Sequence, residues 1–310
     1  MSIAIGLPLP TWPRADRSYA SWPELRQLAR DAEDMGVDTL WVSDHLLRRL
    51  GSGERIGFWE CWTIVTALAE ATTRVGIGPH VACTGFRNPA LLAKMATTLD
   101  EVSGGRLVLG LGSGVPATDA SWRAFGYDGE RHVTRYAESV EVIARLLRGE
   151  TLTFDGDLVH TDDAELVPRA TGRPAPPIWV AAKGDRTSRI AARWADAINV
   201  NVPLTGAADA EAISSRATRA CEEVGRDPGT LQLTGWARLV VDDQGRAIER
   251  DGCLTGTPEQ VAAACAGFAR AGVTHLTLYV GDPDDPSRFP ALTPATLARL
   301  GPFLEAIRIA

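Results

Sequence analysis

The sequence is short of the features that mark several protein classes. Its five cysteines (Cys61, Cys83, Cys221, Cys253, Cys265) form an odd, scattered set with no CxxC pair. That argues against a disulfide framework and a zinc site, and for reduced thiols. No metal is expected. No stretch holds the roughly 18 apolar residues that a membrane span requires. There is no long basic run, and the formal net charge is -7. Nucleic acid and anionic membrane surfaces are therefore poor partners. The opening residues, MSIAIGLPLP, lack a basic segment followed by a long apolar core, so a cytoplasmic location is expected. No GxGxxG follows the first apolar run, which weakens the case for an open dinucleotide-binding sheet.

What is present is an alternation of short apolar runs and amphipathic helices. The first run is Ile3 to Leu9. Ser21 with Glu24 three residues later forms a capping box, Pro23 falls in the first turn, and Gly36 is a natural stop. A second run, Thr39 to Val42, ends in Ser43-Asp44-His45, and a third spans Arg74 to Cys83. Asn88-Pro89 opens a helix that Gly104-Gly105 closes, and Leu107 to Leu111 reads as a buried strand. Spacings of three and four mark a long helix from Val133 to Leu147. Thr151 to Asp157 then reads as an inserted hairpin with an Asp-Gly turn. Later strands are expected at 177–182, 197–202, 231–241 and 275–280, with helices between and after them. Continuous apolar strands fit a parallel sheet buried on both faces. About eight strand–helix units predict an α/β fold, a (β/α)8 TIM barrel with insertions, as one domain over residues 1–310.

In such a barrel, chemistry sits beyond the C-terminal ends of the strands. Four segments fall there. His45 suits proton exchange near neutral pH and Asp44 adds a carboxylate. Neighbours on a strand point to opposite faces, so they need not pair, and Asp44 could equally cap a turn. His80 and Val81 end the third strand, where an incidental histidine is the plainer reading. Gly112 and Ser113 lie in a glycine-rich turn that lets backbone approach a ring or a phosphate. Ala182-Lys183-Gly184 precedes a helix, whose N-terminus with Lys183 can hold an anion; an ordinary exposed lysine is the alternative. Most of the nine tryptophans are expected to pack the core or rim.

Five stretches carry a family resemblance: AEDMGVDTLWVSDHLL, the run from TTRVGIGPHV through FRNP and LDEVSGGR to GLGSG, YAESVEVIARLLRGETLTFDGDLV, PPIWVAAKGDRTSRIAARWADAIN, and LTGTPEQVAAACAGFARAGVTHLTLYV. They cover most of the chain, and it resembles the luciferase-like monooxygenase superfamily, closest to its coenzyme F420-dependent oxidoreductases. The resemblance implies a barrel with a cofactor across the mouth, and often a homodimer. It implies a non-prolyl cis peptide at His80-Val81, in a bulge backing the tricyclic ring. It places Asp44 and His45 near that ring and the cofactor phosphate at Ala182-Lys183-Gly184. The expected reaction is hydride transfer between the deazaflavin C5 and a small organic substrate. The alternative is an FMN-dependent monooxygenase using reduced flavin and oxygen. Two departures set the chain apart from the sugar-phosphate dehydrogenases of this branch. Val115 stands where they carry an acidic residue, and Leu46-Leu47-Arg48-Arg49 replaces a tryptophan after the Asp-His pair.

Overall fold

The computed structural model describes residues 3–14, 16–173, 175–242, 244–248, 252–281 and 292–310. Among them are eight principal strands: β1 (Ala4–Pro8), β2 (Thr39–Val42), β3 (Gly76–Pro79), β4 (Leu109–Gly112), β5 (Ile178–Ala182), β6 (Ala197–Pro203), β7 (Gln232–Leu239) and β8 (Val273–Val280). All pair in parallel, in the order β3-β2-β1-β8-β7-β6-β5-β4. A two-residue segment, Ala82–Cys83, continues β3 and pairs with β4. Val108 N also donates to Ile77 O at 2.8 Å. The two ends of the path thus belong to one strand, and the sheet closes into the expected barrel.

Eight principal helices alternate with the strands: α1 (Trp22–Asp34), α2 (Cys61–Ala71), α3 (Pro89–Val102), α4 (His132–Leu147), α5 (Asp185–Trp194), α6 (Ala207–Val224), α7 (Pro258–Arg270) and α8 (Pro294–Ile309). Local signals set their ends. Glu24 accepts from Ser21 N at 2.7 Å, as a capping box requires. Asn88 Oδ1 accepts from Ala90 N and Leu91 N at 2.9 and 3.1 Å. Gly36 and Gly104 take positive φ at the helix exits. The apolar stripe Leu25, Leu28, Ala29 and Ala32 of α1 is fully buried, each leucine contributing about 1.5–3 kcal/mol.

The inserted hairpin is Leu152–Asp155 with His160–Ala164. A second hairpin, Leu47–Arg49 with Arg55–Gly57, and a short helix, Ser121–Ala124, were not foreseen. The predicted third strand, residues 74–83, is broken into two pieces at residues 80 and 81.

Tryptophan rings fill the barrel floor. Trp41, Trp179 and His275 have centroids 4.8 to 5.7 Å apart. Gly6 makes room for them, since a Cβ there would lie 2.2 Å from Trp41 Nε1.

Candidate active site

The strand ends form an open mouth, and the bulge in the third strand is its central feature. The His80-Val81 peptide is cis. His80 N still donates to Val42 O of β2 at 2.9 Å, while Ala82 and Cys83 already pair with β4. The strand therefore crosses from one neighbour to the other at this point. Glycines on β4 permit the crossing. A Cβ at Gly110 would stand 2.3 Å from Pro79 O, and one at Gly112 would stand 2.4 Å from a Val81 methyl. The result is a ledge of His80 and Val81, both partly exposed. Ser113 is also half-buried at the rim. Tyr136 of α4 braces the neighbouring strand ends, its Oη 2.9 Å from Leu111 O and 3.1 Å from Ala181 O.

Asp44 and His45 do not pair. The Asp44 carboxylate turns into the protein, buried behind the ledge. It accepts from Arg87 Nη1 at 2.6 Å, Arg87 Nη2 at 3.0 Å and Cys83 N at 2.9 Å. Burial pushes the Asp44 carboxyl above its usual range, and the Arg87 charge with these three donors works against that push and favours the ionised form. Burial works against the Arg87 charge, but Asp44 outweighs it and holds the guanidinium above its ordinary range. Arg87 also donates to Glu60 at 2.8 Å, and Glu60 caps α2 through Thr63 N. Asp44 thus ties the piece of strand after the bulge to α2.

His45 finds a different carboxylate. Its Nδ1 lies 2.6 Å from Asp119 Oδ2, across 74 residues of chain. Asp119 Oδ1 accepts from Ser121 N at 2.9 Å. Ser121 Oγ bonds Leu46 N and Leu47 N at 3.0 and 2.9 Å, stitching the loop after β4 to the segment after β2. Burial pushes the Asp119 carboxyl up, yet hydrogen bonds from His45 and Ser121 prevail and leave it below its usual range. The His45 side chain is 38% exposed. Its Nε2 has no hydrogen-bond partner among the described residues. Phe58 lies 5.3 Å from the imidazole, with Trp12 edge-on behind at 5.6 Å.

His80 has neutral company. Nδ1 is 3.2 Å from Tyr279 Oη, and Nε2 is 2.5 Å from Asn199 Nδ2. Burial lowers its pKa to about 4 and pushes Tyr279 up to about 12. Beneath, His275 bonds Thr39 Oγ1 at 3.1 Å and is lowered by burial to about 3.

At the end of β5, Gly184 caps α5, and no atom stands within 4 Å of where its Cβ would be. Lys183 and Arg186 are exposed beside it, and Arg216 donates to Lys183 O at 2.9 Å. Lys183 N and Gly184 N are held by Thr187 Oγ1 at 3.0 and 3.2 Å.

His45, His80, Val81, Gly112, Ser113 and Ala182-Lys183-Gly184 therefore all sit at strand ends, as the sequence implied. Asp119, Arg87, Asn199 and Tyr279 had not been singled out. Arg87 lies inside the FRNP motif, which was the one available signal. No group of three potential metal-ligating side chains occurs among the described residues. None of their helices is long and apolar enough to cross a membrane.

Together the closed parallel barrel and the bulged third strand define a TIM-barrel protein with a backbone ledge at the C-terminal ends of its strands. The luciferase-like monooxygenase family model matches residues 3–251, and the chain belongs to that family. It is 29% identical over 219 residues to a 5,10-methylenetetrahydromethanopterin reductase of Methanolobus tindarius, covering 71% of this chain and 62% of that protein. The chain thus spans about three-fifths of that relative. It is 26% identical to an F420-dependent glucose-6-phosphate dehydrogenase of Kineococcus radiotolerans, covering 92% of this chain and 94% of that one. Among solved structures, an F420-dependent secondary alcohol dehydrogenase with an F420-acetone adduct superposes with a TM-score of 0.79 at 18% identity. The match covers 99% of this chain and 100% of the other.

Proposed function

We propose that this chain is a coenzyme F420-dependent oxidoreductase acting on a small organic substrate. The observation that carries this reading is the His45–Asp119 pair, open to the mouth beside the His80-Val81 ledge. The Kineococcus relative, matched over nearly its whole length, is named for this cofactor and supports it.

The residues present fit such a group. Gly110 and Gly112 carry no side chain between β4 and the ledge, and His80 beneath stays neutral. His80, Val81, Gly112 and Ser113 would back the ring. Ala182, Lys183 and Gly184 would take the phosphate, with Arg186 and Arg216 alongside and the α5 dipole behind. When bound, the deazaflavin supplies a hydride carrier at C5.

This chain's residues handle the proton. Asp119, held ionised, accepts a hydrogen bond from Nδ1–H of His45, so the lone pair of Nε2 faces the mouth. Nε2 would take the substrate's proton as hydride leaves its carbon, or return it in the opposite direction. Asp44 acts at one remove, holding the ledge in place through Cys83 N. Phe58 packs beside the His45 imidazole and Trp12 packs edge-on against Phe58, which fixes the position of the ring at the mouth. The reading includes a cytoplasmic location and a homodimer, and sedimentation of the purified protein tests the second.

Titration with F420 and, separately, FMN, followed by fluorescence, tests the reading. F420 is expected to bind tightly and FMN weakly. Tight FMN binding with none for F420 would replace it with a flavin monooxygenase.

A further inference from the structure

A second pocket lies outside the barrel, against the back of the ledge. It encloses about 300 Å³ between the turn Thr84–Phe86, helix α4 and the inserted hairpin. Ser139 of α4 lines it. That residue is fully buried, and its Oγ has no hydrogen-bond partner among the described residues. Arg135, four residues earlier on the same helix face, lines it too, and its buried Nε is likewise unpartnered. The other Arg135 nitrogens are loosely engaged, with Leu158 O at 3.5 Å and Asp128 at 3.6 Å. Arg87 and His160 also face the pocket, and no carboxylate lines it.

Native proteins rarely leave buried donors unmatched, so these groups call for an acceptor. A hydroxyl and a guanidinium one helical turn apart form a donor set for an oxyanion, while the Arg87 guanidinium beside them is already taken by Asp44 and Glu60. Phe86 and Leu158 add apolar wall beside it. We propose that this pocket binds a small organic oxyanion, a carboxylate or a phosphate ester, held by Arg135 and Ser139. The proposal stands apart from whichever cofactor occupies the barrel mouth.

Isothermal titration of the full chain with inorganic phosphate, and separately with benzoate, tests it at ionic strength fixed by sodium chloride. At least one anion should give saturable heat. Arg135→Gln should weaken that binding about tenfold and Ser139→Ala a fewfold, with circular dichroism unchanged. Tighter phosphate binding would identify a phosphate source, and tighter benzoate a carboxylate on an apolar body. No saturable heat from either, or binding that Arg135→Gln leaves unaltered, overturns the proposal. In anion-free buffer Ser139→Ala should melt within about 2 °C of the parent, because the hydroxyl it removes is unpaired. A larger drop would show that the hydroxyl already has a partner, and would also overturn it.

Discussion

The two sides of the barrel mouth are wired differently. On the outer side, in the segments that follow the ends of β2, β3 and β4, the polar side chains are charged: Asp44 grips Arg87, and Asp119 grips His45. On the inner side, where side chains from the non-adjacent strands β3, β6 and β8 meet inside the barrel, they are neutral: His80 meets an amide and a phenol, with His275 below bonded to a threonine. His45 and His80 follow neighbouring strands, yet only His45 has a carboxylate and open solvent. The difference teaches that residue type does not assign a role here. Surroundings make one histidine fit to carry a proton and keep the other a neutral support.

The charged side breaks first. Arg87→Met leaves the Asp44 carboxylate buried without its partner, and removing one member of such a pair costs about 3–5 kcal/mol. Urea denaturation should show that loss. A change below about 1 kcal/mol would mean that Asp44 does not depend on Arg87. Next comes His45→Asn, which keeps ring-like size and polarity without a titrating nitrogen. Turnover should fall about 10²-fold with cofactor affinity retained. Unchanged turnover would remove His45 from the proposed mechanism.

The neutral side is tested by acid. His80 and His275 sit at about 4 and 3 when folded, below the ordinary histidine value of about 6.5. Below pH 6.5 the unfolded chain therefore takes up protons that the folded one refuses. Stability is fully present above that value and falls as the pH drops towards the folded values. Each histidine approaches a limiting slope of about 1.4 kcal/mol per pH unit, and between pH 6 and 5 the pair gives about 2.4 kcal/mol. His275→Phe, which keeps a flat ring between Trp41 and Trp179, should halve that slope. An unaltered slope would show that these histidines are not the acid-sensitive groups.

The barrel was legible because its signals are local. Ser21 with Glu24, Asn88 with Pro89, and Gly36 each fix a helix end within a few residues. The glycines of the Gly110 to Gly114 turn were visible, but not their first task. That task is set by Pro79 O and Val81, which lie on another strand. Asp44 stood out by adjacency to His45 and by the family resemblance, and neither pointed to Arg87. Its true partner is 43 residues away, and the partner of His45 is 74 away. Asp119 sits in a loop with no periodicity to place it, and pairings of that range arise only once the barrel has closed.

The smallest expected effect is also the most specific to the comparison. Asp119→Asn removes the charge beside His45 while keeping its size. An amide can offer either its oxygen or its NH₂ to Nδ1. When it offers NH₂, the proton moves to Nε2 and the lone pair no longer faces the mouth. Turnover should fall about tenfold, about 1.4 kcal/mol of barrier, with the substrate KM little changed. The parent's Asp119 stays ionised below the usual carboxylate range, so its hold on His45 persists to low pH and is lost only as pH falls through that lowered value. The loss in the variant should therefore be the same across neutral and mildly acidic pH, and should narrow where the parent's carboxylate itself takes up a proton. Equal kcat for parent and variant at neutral pH would show that the carboxylate does not set the tautomer, and that the two sides of the mouth differ in charge alone.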